Sequence, residues 1–158
     1  VMGVSAGKTL DAAHYLSAGA VSFARGVNDT PKIAALFLTF GTVGVAPALA
    51  AVGAFIALGG LFSARRVAET MSLKVTDLNA GQGLTANMTT TSIVLAASWF
   101  GLPVSTTHVS CGALFGIGAV TGHAKWKTIA TIVAAWVTTL PLAAGLGWAA
   151  YMILEGWV

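Results

Sequence analysis

Apolar residues fill this chain in long runs, and short polar strings cut them. Residues 46–63 carry no charge and come close to the ~20 residues that a helix needs to cross a bilayer. Residues 128–154 form a longer uncharged run, with Pro141 as a candidate kink. Residues 84–99 are apolar and threonine-rich, and 104–121 are apolar again after Gly101 and Pro103. Residues 12–40 are long enough for a span, but the string from Gly26 to Lys32 interrupts them. We read two half-helices there, 12–25 and 30–40, meeting at Asn28-Asp29.

The remaining segments connect these runs. Residues 1–11 read as a polar lead-in and 41–45 as a glycine-rich turn. Residues 64–75 mix Arg65, Arg66, Glu69 and Lys74 with apolar positions, as a short interfacial helix does. Residues 76–83 hold Asp77, Asn79, Gly81 and Gly83, which favour a turn. Gly112 with Gly116, and Gly118 with Gly122, have the spacing of close helix packing.

Composition agrees with lipid burial. Charged residues are 8% of the 158 and apolar residues 56%, against a usual charged share of about 25%. A soluble domain of this size has no interior for so much apolar surface, so the fold class is an all-α integral membrane protein. The net charge of +3 comes from few residues and forms no basic stripe, so no nucleic-acid partner is expected. Arg65, Arg66 and Lys74 mark one loop as cytoplasmic, and Lys125 and Lys127 another. Both lie on one side only if 84–121 enters and returns as a hairpin, whether fully crossing or re-entrant. Val1 stands where a methionine would open a complete chain, and we expect a fragment or a processed chain. No charged n-region with a cleavage site precedes the first apolar run.

Two strings carry the candidate chemistry: Arg25-Gly26-Val27-Asn28-Asp29-Thr30-Pro31-Lys32 and Pro103-Val104-Ser105-Thr106-Thr107-His108. Each ionisable group at membrane depth costs at least ~2.5–3.5 kcal/mol on insertion scales, so such groups usually serve function. Asn28 and Asp29 offer an amide and a carboxylate to a cation. A helix start beside them supplies amide donors to an anion. Asp29 also suits a plain N-cap before Thr30-Pro31. Ser105, Thr106 and Thr107 form a neutral donor cluster fit for a tetrahedral oxyanion, or bond back to their own helix. Lys32 and Arg25 balance Asp29, draw an oxyanion or snorkel to the interface. His108 is a candidate proton group, and Gln82 a polar candidate on the other hairpin arm. No metal cluster, catalytic triad or cofactor motif is present: Gly3 to Thr9 falls one residue short of a phosphate loop.

These strings resemble the inorganic phosphate transporter family of phosphate and sulfate permeases. Its Gly-Ala-Asn-Asp signature, carried in each of two inverted halves, is matched by Gly26-Val27-Asn28-Asp29. Its Pro-Val-Ser-Thr-Thr-His string stands unchanged at 103–108. The continuation to Lys32, Arg65 to Thr70 and Trp136 to Pro141 match the second half in order. Val27 and Thr30-Pro31 depart from the usual pattern.

The resemblance implies a broken-helix, inverted-repeat transporter half: a C-terminal repeat over residues 1–158, in a multi-pass cell-membrane protein. It implies secondary transport of phosphate coupled to sodium or protons, with no enzyme activity and no cofactor. Substrate-binding positions would be Asn28, Asp29, Thr30, Ser105, Thr106 and Thr107, with Asn28 and Asp29 also coupling the ion. Its partners would be an N-terminal repeat or second subunit, the lipid bilayer, the coupling cation and phosphate or sulfate. A sulfate permease, a channel and a non-transporting membrane subunit remain open at this stage.

Overall fold

A computed structural model of the chain describes residues 6–39, 41, 44–69, 75–76 and 78–155. Five helices follow in order: α1 (Ala6–Leu38), α2 (Val45–Glu69), α3 (Ala80–Trp99), α4 (Thr106–Thr121) and α5 (Trp126–Glu155). The chain divides into two compact units, residues 1–124 with the first four helices and residues 125–158 with the fifth. Two stretches are long and apolar enough to cross a membrane: Val45–Ser63, with mean hydropathy 2.1, and Trp126–Glu155, with 1.8.

The first unit corrects the expected break. α1 runs unbroken through Asn28-Asp29, with Pro31 inside it. A proline in a helix removes one N–H donor, here the one owed to the Val27 carbonyl, and membrane helices tolerate that loss. The side chains remove any need for a break. Asn28 and Asp29 both reach Lys32 within the helix, the i,i+4 and i,i+3 spacings that put side chains on one face. The lead-in also shortens, since the helix already begins at Ala6.

α2 continues past the expected end of its span to Glu69, and Arg65 Nε pairs with Glu69 Oε1 at 2.9 Å along it. The separate interfacial helix is thus corrected as far as residue 69. Residues 70–74 and Asp77 lie outside the described residues. α3 begins at Ala80, inside the expected turn, because Asn79 and Gln82 close a reciprocal capping box there. α4 begins at Thr106 on the Ser105 cap and ends at Gly122, whose φ of 74° suits the left-handed position after a helix.

Three contacts give the register of α1 on α3. His14 abuts Gly83, Asn87 donates to Ser17 and Asn28 donates to Ser98. Numbers rise together, so the two helices run parallel, as far as the tip at residues 100–105. α4 then returns. Thr76 Oγ1 donates to the His123 carbonyl, and Thr76 bridges Ala124, so both arms of the hairpin begin and end at one side. Of the four glycines read as packing positions, only Gly118 meets a tight neighbour: an added Cβ would lie 3.1 Å from Ala124 Cα. Gly112 and Gly116 face open space, and Gly122 serves the helix end.

The tip is not level with the end of α1. Ala34 packs with Ala48 and Val52 of α2 in a small buried cluster. α1 and α2 run antiparallel, so Asn28, six residues before Ala34, falls level with the α2 residues that follow Val52. Those α2 residues lie at the middle of the Val45–Ser63 apolar stretch. Asn28 and the hairpin tip beside it therefore sit about halfway up that stretch. α1 continues ten residues beyond Asn28 to Leu38, about 15 Å at 1.5 Å per residue.

The second unit is α5 alone among the described helices. It carries apolar residues on every side and passes through Pro141 without ending.

Candidate functional site

The two polar strings meet at the middle of the first unit. Asn28 is buried, at 5% exposure. Its Nδ2 donates to Ser98 Oγ at 2.8 Å, and Ser98 in turn donates to the Val94 carbonyl. Asp29 lies one position on. Thr106 Oγ1 donates to Asp29 Oδ2 at 3.0 Å, joining residues 77 apart in sequence. Thr106 is the first residue of α4, so the positive end of that helix faces the carboxylate.

Lys32 is the hub. Its Nζ donates to Asn28 Oδ1 at 2.7 Å and to the Val104 carbonyl at 2.7 Å, and it pairs with Asp29 Oδ1 at 2.8 Å. An ammonium has three N–H donors, and here three oxygens take them. Val104 offers its carbonyl because Gly101 turns the chain at φ 67° and Pro103 keeps the next stretch out of the helix. An amide oxygen, a carboxylate oxygen and a backbone carbonyl are hard ligands of the kind that alkali and alkaline-earth cations take.

The other expected site residues are distributed around this cluster. Ser105 caps α4 by accepting from the His108 amide at 3.3 Å, and its hydroxyl lies 2.6 Å from His108 Nδ1. The Ser105–His108 pair is thus a unit at the helix start. Thr107 is exposed and makes no hydrogen bond to the cluster. Thr30 and Arg25 face the cleft between α1, α2 and the hairpin. Gln82 is held in the α3 capping box, with Asn79 N donating to its Oε1 at 3.0 Å. It lies 16 residues before Ser98 on α3, about 24 Å away along the axis.

Two contributors escaped the reading of the sequence: Ser98 and the Val104 carbonyl. Ser98 stands directly before the tryptophan that ends α3, so its place beside the helix break was the available signal. A backbone carbonyl leaves no sequence signal beyond its neighbouring proline.

The comparisons with known proteins follow the same path. The family model described as "Phosphate transporter family" matches residues 3–147. A Rhizobium meliloti protein named as a low-affinity inorganic phosphate transporter is 39% identical over 141 residues, covering 82% of this chain and 42% of the relative. A Pyrococcus horikoshii protein named as a phosphate permease is 36% identical over 142 residues, covering 81% of this chain and 35% of the relative. A Pyrococcus abyssi protein, also named as a phosphate permease, is 38% identical, again covering 81% and 35%. The chain thus spans about two fifths or less of the length of these relatives. No solved structure matches it. With a family model matched over nearly its full length, the chain belongs to the phosphate transporter family, a family of membrane transporters rather than enzymes.

Proposed function

We propose that this chain is one repeat, the C-terminal one, of an inverted-repeat transporter that carries inorganic phosphate across the cell membrane. The observation that carries the reading is the Thr106–Asp29 hydrogen bond at 3.0 Å, which ties both polar strings into one cluster. Its position halfway up the apolar stretch of α2 agrees with a substrate site near the bilayer midplane. That height favours a re-entrant hairpin over a full crossing. An N-terminal repeat, in the same chain or a second subunit, would close the site from the other side. The many exposed apolar side chains, such as Phe55 at 73% and Phe62 at 89% on α2, suit lipid contact in a multi-pass protein.

Electrostatics explains why such a site needs an ion. The α4 helix start and the Thr106 hydroxyl suit an oxyanion, but Asp29 already holds them. Two like charges ~4 Å apart repel by about 4 kcal/mol at an effective dielectric of 20, roughly a thousandfold in affinity. Lys32 offsets that charge only while it pairs with Asp29; a cation or a proton that takes its place there removes the repulsion and leaves the ammonium free to face the phosphate. Sodium would take the oxygens of Asn28, Asp29 and Val104 and so displace the Lys32 ammonium. A proton needs only Asp29. In either case phosphate and the ion bind together, which is symport.

The test is uptake of radiolabelled phosphate by proteoliposomes that hold the chain in its native assembly. The reading requires saturable uptake that rises with an imposed sodium or proton gradient. Uptake of sulfate alone would assign the site to the other oxyanion. Flux without saturation or gradient dependence would indicate a channel, and no flux a non-transporting subunit.

A further inference from the structure

The first unit contains a cleft of ≈ 1020 Å³ that none of the cluster's hydrogen bonds uses. It starts beside His14, Ser63 and Asn79, at the side where the hairpin arms begin and end, and reaches Gly26 and Thr30 at half height. Arg25 projects into it one helical turn before Asp29. Among the described residues, Arg25 Nε is buried without a hydrogen-bond partner, and no carboxylate pairs with Arg25. A buried guanidinium nitrogen left unpaired is costly, and this one stands in a space large enough for a ligand. The described lining contains no acid and includes the polar side chains of Asn87 and Thr90, while the Ser22 and Ser110 hydroxyls donate to the Ala18 and Thr106 carbonyls.

We propose that the cleft holds a second oxyanion site at Arg25, a waiting position for phosphate between the membrane face and the Asp29–Thr106 cluster. This rests on the phosphate reading above. The chemistry differs between the two positions. At Asp29 an anion needs a co-bound cation or proton, as argued. At Arg25 the positive charge meets no carboxylate among the described residues, and its planar donor suits a tetrahedral oxyanion. The outer site therefore loads without the coupling ion and raises the local phosphate concentration one turn from the inner site.

Charge-selective thiol labelling tests this without relying on transport. In a background freed of other cysteines, with Cys111→Ser in this chain, Ser22→Cys places the only thiol in the cleft. The protein, in its native assembly in nanodiscs, is treated with an anionic and with a cationic methanethiosulfonate, with and without inorganic phosphate. The anionic reagent should gain at least roughly tenfold over the cationic one relative to the Arg25→Gln variant, the lower end of the range for a focused field. Phosphate should slow labelling when Arg25 or Arg25→Lys is present and not in Arg25→Gln. Equal reagent preference with and without Arg25 overturns the site, and so does labelling that phosphate does not slow. A thiol that reacts with neither reagent shows a cleft filled by protein and overturns it as well. Protection without any phosphate uptake would keep this site and remove the transport reading. Uptake with protection independent of Arg25 would do the reverse.

Discussion

Asp29 Oδ2 accepts the Thr106 hydroxyl hydrogen bond at 3.0 Å, while Oδ1 of the same carboxylate meets Lys32 at 2.8 Å. Each oxygen of one carboxylate thus reports to a different string. Thr106→Val keeps the shape and deletes the hydroxyl. A hydrogen bond to a charged group contributes about 1.5–3 kcal/mol. Phosphate affinity in Thr106→Val should fall by an amount of that order, and Thr106→Ser should restore most of it. Titration of phosphate uptake against concentration measures this. Equal affinity in Thr106→Val would mean that the hydroxyl serves only the fold.

Lys32 gives a prediction of opposite sign. Its ammonium fills a position between three oxygens. Lys32→Met removes the charge and leaves those oxygens to an incoming cation. The variant should bind sodium more tightly, so half-maximal uptake should need less sodium. Sodium titration of uptake reads it out. A purely structural Lys32 would lower the uptake maximum and leave the sodium requirement where it was.

How much of this was legible in the sequence depends on the kind of signal. The Gly-x-Asn-Asp and Pro-Val-Ser-Thr-Thr-His strings stood out because polar groups are costly inside apolar runs. Helix existence followed from run length. The continuity of α1 did not. Gly26, Asn28 and Pro31 each weaken a helix locally, and the compensating bonds from Lys32, Ser98 and Thr106 come largely from residues about 70 positions away. Tertiary contacts overrode local propensity there. Gln82 shows the reverse, a purely local arrangement: its side chain closes a capping box with Asn79. Ser105 was legible as a cap, and its pairing with His108 is visible only once the helix start is fixed.

Asn28 should matter for stability as well as transport. It is buried, donates to Ser98 and accepts from Lys32. Asn28→Ala leaves the Lys32 ammonium short of one acceptor, and a buried group left without its partner costs about 1–3 kcal/mol. Thermal unfolding in detergent should shift to lower temperature. Ser98→Ala should shift it less, because there a hydroxyl leaves and the stranded group is a neutral amide. The reverse ranking would place the stabilising weight on Ser98.

Gly118 offers a test of the hairpin's closed end. An added Cβ would lie 3.1 Å from both Ala124 Cα and Thr76 Oγ1. The first is backbone, so relief needs a shift of the chain. Gly118→Ala should destabilise the protein by about 1–3 kcal/mol, the usual range for overpacking, whereas Gly112→Ala, into open space, should be close to neutral. Thermal unfolding of the two variants side by side checks the packing of residues 76 and 124 on α4.

The central claim is that Asp29 couples an ion to phosphate at the cluster it forms with Thr106. Its most direct test is phosphate uptake by Asp29→Asn in proteoliposomes, measured with and without the gradient that drives the wild type. The substitution keeps the shape and removes the charge that a cation or proton must neutralise. The account predicts that uptake no longer responds to the gradient, at normal expression and assembly. Gradient-driven uptake equal to that of the wild type would contradict it and return Asp29 to a structural role.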